Sequence, residues 1–106
     1  LCKTAVEVCK KVNPAIHVTE GRVVSGDQFI SSKEIKDALI AEFHPDCTEM
    51  EGASIAQAAT LNNIPYVVIR AISDKADGSA QEDYPTFEKK AAEHCAKLVQ
   101  EMMKEL

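Results

Sequence analysis

The sequence predicts a three-layer α/β fold, with helices covering a central sheet. Two observations carry this. Segments with helical spacing alternate with short β-branched runs, in the order helix, strand, helix, short strand, helix, strand, loop, helix. One run, Tyr-Val-Val-Ile-Arg-Ala-Ile at 66–72, is apolar almost throughout, as expected of a strand buried on both faces of a sheet.

Each element has its own signal. Residues 1–12 place Leu1, Ala5, Val8 and Val12 on one helical face, and Asn13-Pro14 ends that helix. Val18, Val23 and Val24 make a strand of 17–25, with Gly21 marking a bulge or turn. Ser31-Ser32-Lys33-Glu34 fits a capping box with Ser31 as N-cap. Ile35, Ala38, Leu39 and Phe43 follow at helical spacing until His44-Pro45-Asp46 breaks the pattern. Residues 47–50 suit a short strand, and the alanine-rich stretch 52–63 a helix packed closely on its neighbour. Residues 74–83 read as a loop. Pro85 then opens a last helix whose apolar stripe is Phe87, Ala91, Cys95, Leu98, Met102 and Leu106.

Composition narrows the function. A chain of 106 residues is one small domain, and its net charge of −5, with only Arg22 and Arg70 as arginines, disfavours nucleic acid and anionic membranes as partners. The apolar runs are far shorter than a membrane span. Cys2, Cys9, Cys47 and Cys95 lack CxxC spacing and read as reduced thiols of a cytoplasmic protein, with no metal site. The chain shows no signal peptide and opens on Leu1 inside a helix, which reads as a fragment. The meagre sheet agrees, since a strand as apolar as 66–72 needs neighbours on both sides.

Three polar segments lie beside the strands: Ser25-Gly26-Asp27-Gln28-Phe29-Ile30, Glu49-Met50-Glu51-Gly52 and Arg70-Ala71-Ile72-Ser73-Asp74. Open α/β sheets bind ligands at the carboxyl ends of their strands. Asp74, closing an apolar strand, is either a general acid with a pKa raised by desolvation or a turn aspartate. Glu49 and Glu51, two apart, point to one face of an extended segment. They either meet cations and sugar hydroxyls there or form a solvated edge beside a helix start. Arg70 calls for a carboxylate, and Glu51 is the obvious partner, unless it is a strand-edge arginine paired with solvent. Phe29 is a core side chain or a plate for a flat base.

In this order and at this spacing, the three segments resemble the 5′-methylthioadenosine/S-adenosylhomocysteine nucleosidases of the nucleoside phosphorylase/nucleosidase superfamily. The resemblance runs from about Gly21 to Phe87, with the final helix also compatible. It implies the C-terminal half of a phosphorylase/hydrolase-type sandwich and hydrolysis of a purine nucleoside. Asp74 is then the proton donor to purine N7, with Ser73 orienting the base. Phe29 stacks on the purine, and the backbone of Ile30 reads its edge. Glu51 holds the ribose hydroxyls beside Met50 and Glu49, Arg70 pairs with Glu51 and helps to position water, and Tyr84 and Phe87 line the 5′-alkylthio pocket. The family uses no metal or organic cofactor, and a homodimer partner closes its pocket. Breaking the ribosyl C–N bond puts positive charge on the sugar and negative charge on the base, so an acid on one side and a carboxylate on the other suit it.

The family's chain is about twice as long, and its N-terminal part supplies the glutamate that activates water. No residue here takes that role, so this chain alone is expected to be inactive. Other readings are a purine nucleoside phosphorylase, which the scarcity of arginine disfavours, another purine nucleosidase such as a futalosine hydrolase, and a non-catalytic module.

Overall fold

The computed structural model describes residues 1–72 and 84–106, apart from the side chain of Tyr84. Its elements, in chain order, are α1 (Cys2–Val12), β1 (Val23–Ser25), α2 (Lys33–Phe43), β2 (Cys47–Glu49), α3 (Gly52–Leu61) and α4 (Tyr84–Glu105). They fall into two compact units, one of residues 1–20 and 83–106 and one of residues 21–82.

The first unit packs α1 against α4. Ala5, Val8 and Cys9 of α1 meet Leu98 and Met102 of α4 in its core, all taken from the water by helical spacing. Asn13, just past α1, is buried, and its side-chain amide donates to the backbone oxygen of His94 at 3.2 Å. That bond satisfies a polar group which burial would otherwise penalise. Of the stripe expected on the last helix, Leu98 and Met102 are buried, whereas Leu106 is exposed.

The second unit is built on a parallel pair, β1 and β2, in the register Val23 with Cys47, Val24 with Thr48 and Ser25 with Glu49. Parallel strands need a crossover, and α2 supplies it. The strands enter the ladder through reciprocal bonds: the Asp46 amide donates to the Arg22 oxygen at 2.7 Å, and the Arg22 amide to the Asp46 carboxylate at 2.7 Å. Gly21 is required there, because a Cβ at that position would meet Asp46 Oδ2 at 2.7 Å. Arg22 also donates through Nη1 to the Phe43 oxygen at 2.7 Å, satisfying a carbonyl at the end of α2.

Three expectations are corrected. Residues 66–72 form no strand; the described sheet is β1 and β2 alone. A strand exists only through ladder bonds to a neighbour, and apolar β-branched composition does not provide one. The segment is also not enclosed, since Tyr66 and Ile72 are exposed. The strand expected over 17–25 is confined to Val23–Ser25, where β2 lies opposite. The N-cap of α2 is Ser32, in extended conformation and without a side-chain cap bond, so the box led by Ser31 does not form; Glu34 instead lies in the first turn, where its charge suits the helix dipole.

Candidate functional site

The polar cluster begins at the carboxyl ends of β1 and β2. The parallel register sets Ser25 directly beside Glu49, and the Ser25 hydroxyl donates to Glu49 Oε1. Immediately after β2 the chain turns into α3, whose first amides have no partner within the helix. Glu49 and Ser25 supply those partners. The Gly52 amide lies 2.8 Å from each Glu49 oxygen, the Glu51 amide donates to Glu49 Oε2 at 3.1 Å, and the Ala53 amide donates to Ser25 Oγ at 2.9 Å. A carboxylate at a helix N-terminus also gains from the helix dipole.

Arg70 closes the cluster from the other side. Its Nη2 donates to Glu49 Oε2 and, at 2.7 Å, to Glu51 Oε1. The expected pairing of Arg70 with Glu51 is present, and Glu49 shares the same guanidinium. The two carboxylates differ in what they leave open. The Glu49 side chain is 9 % exposed and the Glu51 side chain 61 %. Both Glu49 oxygens already accept bonds from protein donors, whereas Glu51 faces solvent with acceptor capacity to spare.

Electrostatics follows this geometry. Burial pushes the Glu49 carboxyl upward, but the donors on Ser25, Glu51, Gly52 and Arg70 outweigh it and hold Glu49 below the usual glutamate range. Glu49 is therefore an anion at neutral pH. The hydrogen bond that Arg70 donates to Glu51, opposed by partial burial and reinforced by Glu49, holds the guanidinium charged even more firmly than usual. Two carboxylates against one guanidinium leave the cluster with one net negative charge, which suits a ligand that is rich in hydroxyls or develops positive charge. Burial, and then the charges of Glu49 and Asp46, push the Cys47 thiol up, which disfavours its thiolate form.

Gly52 is the buried residue at the centre of this arrangement. A Cβ there would meet Glu49 Oε1 at 2.6 Å and Cδ at 3.1 Å, so only glycine lets the carboxylate seat on the helix start. The role of Glu49 as the hub, and that of Ser25, were missed in the sequence. The available signal was a glutamate three residues before a helix-opening glycine.

The other expected residues are placed as follows. Phe29 is 67 % exposed, Met50 lies exposed between the two glutamates, and Ile30 is half-buried. Phe87 lies in α4, half-buried, in the unit formed with α1. Ser73, Asp74 and the side chain of Tyr84 lie outside the described residues. Among the described residues, no group of three or more His, Cys, Asp or Glu is arranged to hold a metal ion. No helix among them is long and apolar enough to cross a membrane.

Paired parallel strands ending in a carboxylate–arginine cluster define an α/β protein with a polar site at the strand ends. The chain belongs to the phosphorylase superfamily, whose family model matches residues 1–104. It is 41% identical over 101 residues to the aminodeoxyfutalosine nucleosidase of Helicobacter pylori (strain ATCC 700392 / 26695), covering 93% of this chain and 44% of that protein. It is 39% identical over 108 residues to the 5′-methylthioadenosine/S-adenosylhomocysteine nucleosidase of Haemophilus influenzae (strain PittEE), covering 100% of this chain and 46% of that protein. Among solved structures, the native futalosine hydrolase of Helicobacter pylori strain 26695 superposes with a TM-score of 0.84 at 40% identity, over 98% of this chain and 44% of that one. The expected α/β fold class of the phosphorylase/hydrolase type is thereby borne out, as is the resemblance to these nucleosidases. The chain spans less than half the length of these relatives.

Proposed function

We propose that this chain is the C-terminal part of a purine nucleosidase that hydrolyses the N-glycosidic bond of 5′-methylthioadenosine and S-adenosylhomocysteine, releasing adenine. The observation that carries this reading is the guanidinium of Arg70 bridging Glu49 and Glu51 at the strand ends. In this reading the exposed Glu51 carboxylate accepts the ribose hydroxyls, and Arg70, fixed by Glu49, keeps it aimed and helps to position water. The net negative charge beside the sugar then stabilises the positive charge that grows there as the bond breaks. Phe29 stacks on the base beside the backbone of Ile30, and Met50 contacts the sugar. Asp74 donates the proton to the leaving base with the help of Ser73, and Tyr84 and Phe87 line the 5′ pocket. The kinship with methylthioadenosine/adenosylhomocysteine nucleosidases supports the substrate. The water-activating carboxylate comes from a preceding segment, which together with a second copy of the protein covers exposed side chains such as Ile55, Leu61 and Ile64. The protein works in the cytoplasm.

A second reading rests on the 41% identity to an aminodeoxyfutalosine nucleosidase, which makes that nucleoside the competing substrate. The test is adenine release from 5′-methylthioadenosine by the full-length protein, with and without phosphate, beside the same assay on the 106-residue chain. Release without phosphate by the full-length protein alone is expected. Release only with phosphate makes the protein a phosphorylase, and release by the short chain overturns the need for a preceding segment. Much faster turnover of aminodeoxyfutalosine selects the second reading.

A further inference from the structure

The strand-end cluster contains one side chain to which the proposed chemistry gives no task. Ser25 ends β1, its hydroxyl donates to the Glu49 carboxylate, and the same oxygen accepts the Ala53 amide at 2.9 Å. A hydroxyl with one proton and two lone pairs is thus engaged as donor and acceptor at once, which fixes its rotamer. Glu49 in turn holds the Arg70 guanidinium, which reaches on to Glu51 Oε1 at 2.7 Å. The chain of contacts from Ser25 through Glu49 and Arg70 to Glu51 is unbroken, and its last member is the exposed one.

We propose that Ser25 is a positioning residue for recognition of the ribose hydroxyls, acting through the Ser25–Glu49–Arg70–Glu51 relay and not by touching the substrate. The proposal rests on the nucleosidase reading and assigns it a further residue. Three features support it. Ser25 and Glu49 are paired by ladder register, so their contact is set by the sheet and does not depend on a loop. Ser25 also ties the start of α3 to β1, so the helix that begins one residue after Glu51 shares the same anchor. Finally, Arg70 lies in a segment without ladder bonds, so its aim depends on the carboxylates that hold it. Without the serine hydroxyl, Glu49 keeps its backbone donors but loses its side-chain donor from β1 on Oε1, and a carboxylate that resettles takes the guanidinium it holds with it. Groups that support a functional side chain in this way typically matter by one or two orders of magnitude.

The test uses the full-length protein and two substrates, 5′-methylthioadenosine and its 2′-deoxy analogue. If Ser25 acts through Glu51, Ser25→Ala lowers kcat/KM about tenfold for the ribonucleoside, the scale of one hydrogen bond to a charged group. It lowers kcat/KM no more than about threefold for the deoxynucleoside, which lacks one of the recognised hydroxyls. Ser25→Thr, which keeps the hydroxyl and suits a strand, restores the ribonucleoside rate. Equal losses on both substrates, or no loss, overturn the proposal while leaving the nucleosidase reading intact. A native protein that releases no adenine from either substrate overturns that reading and the proposal with it. Should Ser25→Ala not fold, Ser25→Cys replaces it, since a thiol is a weak donor of similar size, and the same difference between the two substrates decides.

Discussion

Ser25 and Glu49 stand opposite one another in the parallel ladder, and the hydroxyl of the first donates to the largely covered carboxylate of the second. This pairing divides two similar glutamates into different kinds of group. Glu49 is consumed by contacts within the protein, and Glu51, two residues on, is left facing outward on the same guanidinium.

Arg70 is the cation common to both carboxylates, so Arg70→Leu leaves them repelling one another at the strand ends. Adenine release by the full-length protein is expected to lose about 100-fold in kcat/KM, the scale of removing one stabilising donor from an active site. Arg70→Lys recovers only part of this, because a compact, strongly hydrated ammonium on a flexible stem does not hold the fixed donor geometry of a guanidinium. Steady-state kinetics of the two variants decides, and an Arg70→Leu rate within about threefold of native removes Arg70 from the site.

Acid weakens the cluster. Glu49 is held below the ordinary glutamate range in the folded protein, so its contribution to stability is complete above the unfolded value of about 4.3. It is lost as the pH falls through the lower folded value. Urea midpoints measured from pH 7 to pH 3 should therefore fall more steeply on the acid side for the native protein than for Glu49→Gln, which has no proton to take up at that position. Parallel curves for the two proteins contradict this.

Gly52→Ala places a methyl group 2.6 Å from Glu49 Oε1. In an open helix that exchange gains about 1 kcal/mol. Here the carboxylate must leave the start of α3, and a net loss of about 1–3 kcal/mol is expected. Gly26→Ala serves as the control, since a Cβ there meets nothing within 4 Å, and its effect should stay within about 0.5 kcal/mol. Thermal or urea unfolding of both variants checks the contrast.

Asp74→Asn removes the proposed proton donor and keeps the shape of the side chain. Turnover of 5′-methylthioadenosine should fall by about 100-fold or more, within the range attributed to general acid catalysis. A single-turnover assay of the full-length variant measures the loss, and unchanged turnover would reject the assignment.

Legibility in the sequence depended on how local the cause was. The four helices among the described residues announced themselves, because helical periodicity and breakers such as Asn13-Pro14 act within a few residues. The pairing of Arg70 with Glu51 was also legible, since an arginine amid apolar neighbours calls for a carboxylate. Residues 66–72 misled for the opposite reason: their composition suits a strand, but a strand is a relationship with a second segment. The hub role of Glu49 was hidden in the same way. It depends on the register that brings Ser25 alongside and on the amides of a helix that starts just beyond, neither of which is a property of the glutamate itself.

The bond from Asn13 to His94 joins positions 81 residues apart, and the core around Val8 needs the same distant helix. On a ribosome that adds about 5–20 residues each second, α1 therefore emerges roughly 4–16 s before its packing partner. For that interval Val8 and Cys9 lack Leu98 and Met102 beside them, which makes the timing of synthesis, and any chaperone that meets α1 first, part of how this unit reaches its native state.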